Sequence, residues 1–139
     1  MFGRLNPFPV TWTIGPNLGT TQLGGDKTVI IWRAPMEAQV VDPGFVAFDT
    51  AIAKSATNHA VVNVLNAGTK GTGTALIASA TVGKDATQAA GAPAPLAMVS
   101  STAAKLDAGA YLAVQYDEQG SLTLYNAYGS VGVIFGYEN

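Results

Sequence analysis

The stretch YLAVQYDEQGSLTLYNAYGSVGVIFGY, residues 111–137, indicates the fold class of this chain most clearly. Apolar side chains alternate with polar or small ones along it: Leu112, Val114 and Tyr116, then Leu122 and Leu124, then Val131, Val133, Phe135 and Tyr137. A period of two is typical of a β-strand with one buried face. Residues 117–120 and 126–129 each open with Asp or Asn and close with Gly, which suits a type I turn closed by a G1 bulge. We therefore predict a three-stranded antiparallel meander.

The rest of the chain from residue 26 onward repeats this pattern of short strands and turns. Gly, Pro, Asn and Asp interrupt β-branched and aromatic runs at intervals of about 8 to 14 residues, a spacing that predicts a β-sandwich or a barrel. Alanine-rich runs weaken the assignment at 51–60 and 100–108, because Ala also permits helix. The predicted strands are 27–33, 37–41, 45–52, 60–65, 74–82, 96–103, 110–116, 122–125 and 130–137.

Residues 1–25 differ from this pattern, because prolines and glycines leave little room for a helix or a paired central strand. The prolines are Pro7, Pro9 and Pro16, and the glycines are Gly3, Gly15, Gly19, Gly24 and Gly25. Apolar residues recur roughly every second position, at Phe2, Phe8, Val10, Trp12 and Ile14. We predict an extended N-terminal arm over 1–25 that lies on its own domain or on a neighbour, followed by a β-sandwich domain over 26–139.

Charge is scarce in this 139-residue chain. Asp, Glu, Lys and Arg make up 12% of it, against roughly 25% in ordinary soluble domains. The net charge is −2 and the basic residues form no cluster, so we expect neither nucleic acid nor an anionic membrane as a partner. Apolar runs such as Val29 to Trp32 are far shorter than the roughly 18 residues that span a bilayer.

No motif in the sequence indicates an enzyme. His59 is the single histidine and the chain has no cysteine, so a transition-metal site lacks its usual ligands. A calcium site could use Asp107, Asp117 or Glu118, but the calcium-loop spacing of acidic residues is absent. We expect no catalytic residue, no metal and no cofactor.

Two tyrosines near the C-terminus are candidates for a surface contact. Tyr125 and Tyr128 flank a predicted turn, and aromatic faces of this kind can stack on a sugar ring or on a partner protein. Trp32 lies in the apolar run Val-Ile-Ile-Trp, which favours a place in the core.

The scarcity of charge also bears on assembly. A surface rich in Ala, Thr, Ser and Gly protects a monomer poorly against association, so we expect a homo-oligomer or a larger assembly. The alternative is a monomer kept in solution by Thr, Ser, Asn and Gln.

The passage LDAGAYLAVQYD, residues 106–117, together with the proline-rich arm and the cysteine-free strands, resembles the head decoration or cement proteins of tailed bacteriophages. The resemblance implies a jelly-roll-like antiparallel β-sandwich, often trimeric, that sits on the outer capsid surface and bridges neighbouring major capsid proteins. It implies no catalytic residues. The arm would then contact the capsid or a second subunit, through Phe2, Arg4, Phe8 and Trp12.

Two functions are therefore expected. In the first, the chain is a structural virion protein, made in the host cytoplasm, that cements the phage head. In the second, it is a carbohydrate- or receptor-binding β-sandwich, such as the head of a fibre or adhesin, that uses Tyr125, Tyr128 or Trp12.

Overall fold

The computed structural model describes residues 6–15, 27–122, 124 and 126–138. This part of the chain consists of strands and connecting segments, with no helix, and so it contains no helix able to cross a bilayer. The strands are β1 (Phe8–Ile14), β2 (Lys27–Arg33), β3 (Ala38–Phe48), β4 (His59–Gly68), β5 (Ala75–Val82), β6 (Ala94–Pro95), β7 (Ala97–Met98), β8 (Lys105–Leu106), β9 (Tyr111–Gln119) and β10 (Ala127–Phe135).

The strands form two antiparallel sheets. Sheet A has the order β1-β10-β3-β6, with β8 also paired to β3, and sheet B has the order β2-β9-β4-β5-β7. The first two strands enter different sheets, and the last two long strands return beside them, β9 next to β2 and β10 next to β1. This wrapping of the chain is the double-sheet jelly roll. The predicted all-β, jelly-roll-like sandwich is confirmed.

The core lies between the two sheets and is filled by the inward-facing half of each long strand. Tyr116 from sheet B and Phe48 from sheet A are both fully buried, and their rings meet edge to face with centroids 6.4 Å apart. Around them lie mostly Val, Ile, Leu and Ala, among them Val40, Val62, Ile77, Leu112 and Val133. This two-residue period is what the alternation in 111–116 predicts.

The predicted C-terminal meander is wrong. Strand β9 pairs with β2 and β4 in sheet B, and β10 pairs with β1 and β3 in sheet A, so the two strands lie in different sheets and cannot belong to one meander. Alternation shows that a strand has one buried face, but it does not show which strand pairs with it.

The segment between β9 and β10 crosses from one sheet to the other. Leu124 is buried and Leu122 packs against the core, so these leucines cover one end of the sandwich. The Ser121 N–H donates to the Asn58 side chain at 3.0 Å, and the Asn126 amide donates to Asp49 at 2.8 Å. Residues at both ends of this connecting segment are thus bonded to other parts of the chain.

Two predicted strands, 37–41 and 45–52, join into the single strand β3. The join is an irregularity around Asp42, Pro43 and Gly44, where the register of β10 against β3 shifts. Gly44 has φ +74°, and a Cβ there would overlap the carbonyl oxygen of Ser130. Glycine therefore permits one strand to continue past a proline. The predicted strand 96–103 is reduced to β7, and β6 lies just before it.

Residues 8–14 of the predicted arm form β1, the edge strand of sheet A. The side chains of Val10, Trp12 and Ile14 enter the core, while Thr11 and Thr13 are exposed. An edge position tolerates Pro9, which has no N–H to donate to a sheet. Residues 1–5 and 16–25 of the arm lie outside the described residues, and the division of the chain at residue 25 stays a prediction.

Substituting Gly44 by alanine tests the β3 irregularity, with Gly136→Ala as the matched control. Gly136 has φ +77°, and no heavy atom of the described residues lies within 4 Å of where its Cβ would be. Gly136→Ala should cost only the left-handed backbone penalty, about 1 kcal/mol. Gly44→Ala adds a clash with backbone and should cost at least about 3 kcal/mol of unfolding free energy. Equal losses of unfolding free energy in the two variants, measured by denaturant unfolding, would show that the backbone around Gly44 shifts to make room for the Cβ.

Candidate interaction surfaces

Trp12, one of the predicted contact residues, packs within its own domain. Trp12 is 5% exposed, and its indole Nε1 has no hydrogen-bond partner among the described residues. A Cβ on Gly129 of β10 would lie 2.6 Å from Cζ2 of Trp12, so the indole sits directly over that glycine. This ring has little surface left for a second molecule. Phe2 and Arg4 lie outside the described residues.

Phe8 belongs to an aromatic cluster with Trp32 and Phe135. The Phe8 ring lies 4.9 Å from Phe135 and 5.9 Å from Trp32, and Trp32 lies 6.4 Å from Phe135, centroid to centroid. These residues come from β1, β2 and β10, so the cluster covers the side of the sandwich where the edge strands of the two sheets meet. Phe135 is 39% exposed, so the cluster is partly open to a partner. Trp32 packs against the core, as predicted.

Tyr128 is the predicted contact residue with the most accessible described side chain, 38% exposed. It lies on β10 opposite Thr13 of β1 and Ala47 of β3. Tyr128 and its neighbours on the outer surface of sheet A form a surface that we call the sheet-A face. Its members are Pro9, Thr11, Thr13, Asp42, Phe45, Tyr128, Ser130 and Gly132. Tyr125 lies outside the described residues.

The outer surface of sheet B is apolar at its centre. Leu65, Ala67 and Ala113 are buried there in a second small cluster, with Leu76 and Tyr111 packed against it. Ile30 lies opposite Ala113 and is 44% exposed. We define the sheet-B face as Thr28, Ile30, Val61, Asn63, Leu65, Leu76, Ser79, Thr81, Tyr111, Ala113, Gln115 and Asp117.

The sheet-B face is nearly free of charge. Its charged residues lie at its two ends: Asp117 at one, and at the other Arg33, which lies opposite Tyr111 and stacks on its ring at 5.4 Å. Between these ends the side-chain amide of Asn63 donates to the Gln115 oxygen at 3.0 Å, which pairs one donor with one acceptor within the chain. A continuous uncharged surface of this kind is typical of the centre of a protein interface.

The acidic residues considered for calcium form bonds within the chain. Asp117 accepts from the Gln119 side chain at 3.1 Å, and Glu118 accepts from the Tyr116 hydroxyl at 3.1 Å. Asp107 lies 3.4 Å from the Tyr137 hydroxyl. Within the described ranges, no group of three or more acidic or histidine side chains is arranged to hold a metal ion.

His59 is buried at the start of β4. It is 7% exposed, and its Nδ1 finds no hydrogen-bond partner in the part of the chain that the structure describes. It lies opposite Gln119 of β9. This is the position of a structural histidine within the sheet.

Tyr137, which follows β10, is bonded to β8. Its hydroxyl donates to the Leu106 carbonyl oxygen at 3.1 Å, and Lys105 lies 5.6 Å from its ring centroid. Partial desolvation, then the neighbouring carboxylates of Glu37 and Asp107, raise the pKa of Tyr137 above its ordinary value of 10.0. A negatively charged tyrosinate is thus disfavoured in the folded state.

Comparisons with known proteins give a structural likeness and no family. No protein-family model and no curated protein matches the chain. A solved structure of the infectious bursal disease virus Gx strain is similar at 12% sequence identity and a TM-score of 0.33. The match covers 94% of this chain and 30% of that chain, so our chain spans less than a third of the viral one.

Titration of Tyr137 tests its environment. Because its folded pKa is raised, its contribution to stability is complete below pH 10 and falls as pH rises through the folded pKa. The ultraviolet difference between the native protein and Tyr137→Phe should show one tyrosine ionising above pH 10. Asp107→Asn should lower that pKa. A Tyr137 that titrates at or below 10 would contradict this account.

Proposed function

We propose that this chain is a structural virion protein that decorates the outer surface of a phage capsid and cements neighbouring major capsid proteins. In this proposal it acts as a homo-oligomer, with a trimer favoured, and it has no enzymatic activity and no cofactor. The protein is made in the host cytoplasm and is then incorporated into the virion, on the outer capsid surface.

The strand order of the two sheets carries this proposal. Eight of the strands form a jelly roll, with the orders β1-β10-β3-β6 in sheet A and β2-β9-β4-β5 in sheet B. The jelly roll is an architecture of viral capsid domains. Lectin domains and cupins have the same architecture, so the fold reduces the number of candidate functions but does not select one of them. The resemblance of residues 106–117 and the scarcity of charge favour the virion among these uses.

The sheet-B face supports the oligomeric part of the proposal. It presents exposed Ile30 beside buried Ala113 and Leu65, with Asn63 and Gln115 already bonded to each other. A second subunit could therefore cover the centre of this face without burying many charges, with one amide hydrogen bond already made within the chain. We propose that this face lies between subunits.

Cementing follows from holding several capsid subunits at once. A trimer attached to the lattice at more than one point gains affinity through effective concentration, even when each contact is weak. Because it binds the closed lattice, it stabilises that lattice by mass action. The capsid contacts would then lie on surfaces that the subunit interface leaves free.

Ile30→Glu tests the oligomer, with Met36→Glu as the control. Met36 is 51% exposed in the connection between β2 and β3, so the control adds the same charge away from the sheet-B face. We expect a concentration-independent oligomer by light scattering for the native protein and Met36→Glu, and a smaller mass for Ile30→Glu. A monomeric native protein, or equal masses for both variants, would contradict the proposed interface.

The capsid role is tested on particles stripped of this protein. Adding the native protein back should restore their resistance to heat and osmotic shock, and Ile30→Glu should restore less if the oligomer is required. Stripped particles that neither rebind the protein nor differ from complete ones would exclude cementing.

The exposure of Tyr128 supports a second candidate, binding of a carbohydrate or receptor. Its ring lies on the sheet-A face between Thr13 and Ala47, where small neighbours leave one side accessible. On this proposal Tyr128→Ala should reduce glycan binding at least about tenfold, because stacking on an aromatic ring is lost. Tyr128→Phe, which keeps the ring, should reduce it much less. Unchanged binding in Tyr128→Ala, or no glycan bound by the native protein, would contradict it.

A further inference from the structure

A small groove crosses the sheet-A face next to the β3 irregularity. Its volume is about 240 Å³, and its lining comes from Pro7 to Pro9, from Asp42, Gly44 and Phe45, and from residues 130–132. Cavities that hold drug-sized ligands are usually about 300 Å³ or more. The groove is therefore suited to a single side chain or a single ring.

Glycines give the groove its shape. A Cβ on Gly132 would lie 2.9 Å from Cβ of Asp42 and 3.3 Å from Cβ of Pro7, so any larger residue would fill the space between them. Phe45 is half-buried and lies on the outer surface, outside the core between the sheets. The groove is open at Gly132 and has flat apolar surfaces from Phe45 and the prolines.

Among the described residues that line the groove, Asp42 carries the one charge. The N–H of Gly44 donates to its Oδ1 at 2.9 Å, which fixes the orientation of the carboxylate. Its other oxygen has no hydrogen-bond partner among the described residues. The groove thus contains an oriented, exposed carboxylate, and no described residue of the lining carries a positive charge.

The side chains of the groove offer mainly hydrogen-bond acceptors. Pro7 and Pro9 have no N–H, and the N–H of Gly44 is already bonded to Asp42. The Asp42 carboxylate can only accept, and the Ser130 hydroxyl can accept as well as donate. An anion would be repelled, and a neutral sugar, which needs both donors and acceptors, would find few donors here.

We infer that this groove binds an arginine side chain of a partner protein. A guanidinium group carries five N–H donors and no acceptor, pairs with a carboxylate through two parallel bonds, and stacks its plane on an aromatic ring. Asp42, Ser130 and Phe45 match these three properties. A lysine ammonium would satisfy the carboxylate but not use the flat surfaces.

The test is a nuclear magnetic resonance titration of the purified full chain with N-acetyl-arginine methylamide. The matched probes are the lysine analogue at equal ionic strength and methyl glucoside. We expect saturable shifts of the Gly44 and Gly132 amide signals with the arginine probe, in the millimolar range, and weaker effects from the other two.

Asp42→Asn is the informative variant, because an Asn oxygen can still accept from Gly44 while the charge is removed. It should weaken the arginine probe about tenfold, as expected for losing a hydrogen bond to a charged group. The control, Asp85→Asn, removes an exposed charge that is not part of the groove and should leave binding unchanged. Phe45→Leu should also weaken binding and leaves the Asp42 turn intact.

Several outcomes would overturn the inference. Equal binding of the lysine analogue would remove the case for a guanidinium, and tighter binding of methyl glucoside would make the groove a sugar site. Absence of shifts at Gly44 and Gly132, or equal losses in Asp42→Asn and Asp85→Asn, would mean that no side chain is recognised here. None of these outcomes depends on the proposed capsid role, because only the isolated chain and small probes are used.

Discussion

The pairing of β10 between β1 and β3 is the constraint on which the rest of this structure depends. It places the last long strand beside the first, so the jelly roll closes only when both are present. Glycines make this close approach feasible: Gly129 lies beneath the Trp12 ring, and Gly44 lies against the Ser130 carbonyl. The Trp12 indole therefore fills the core, although its N–H has no partner among the described residues.

Local pattern in the sequence predicted the strands well and their partners poorly. The bounds predicted for 27–33 are those of β2, because an apolar run between charged residues has a clear beginning and end. The alternation in 111–116 correctly predicted that Leu112, Val114 and Tyr116 are buried. The Asx and Gly residues near 117–120 and 126–129 suggested hairpins, yet the Ser121 N–H bonds to Asn58 and the Asn126 side chain bonds to Asp49, both in distant loops. Such long-range partners leave no local signal.

The surfaces were harder to predict than the core for a related reason. Tyr128 was identified because it is an aromatic residue beside a turn, and it is exposed as expected. Ile30 lies in the same apolar run as Trp32, and only the register opposite Ala113 shows that it faces outward. The groove was not predicted, because Pro7, Asp42 and Ser130 are far apart in sequence and meet only through the β1-β10-β3 pairing.

The two outer faces point away from each other across the core, and this geometry connects the proposals. In a sandwich the sheets lie about 10 Å apart and present their outer surfaces in opposite directions. An oligomer that covers the sheet-B face around Ile30 would leave the Asp42 groove and Tyr128 accessible on every subunit. Each subunit would then present one acidic groove to the same partner lattice, and weak single-side-chain contacts would add through multivalency. The uncharged face and the acidic groove therefore suit different partners, a second copy of this chain and a protein that presents arginine.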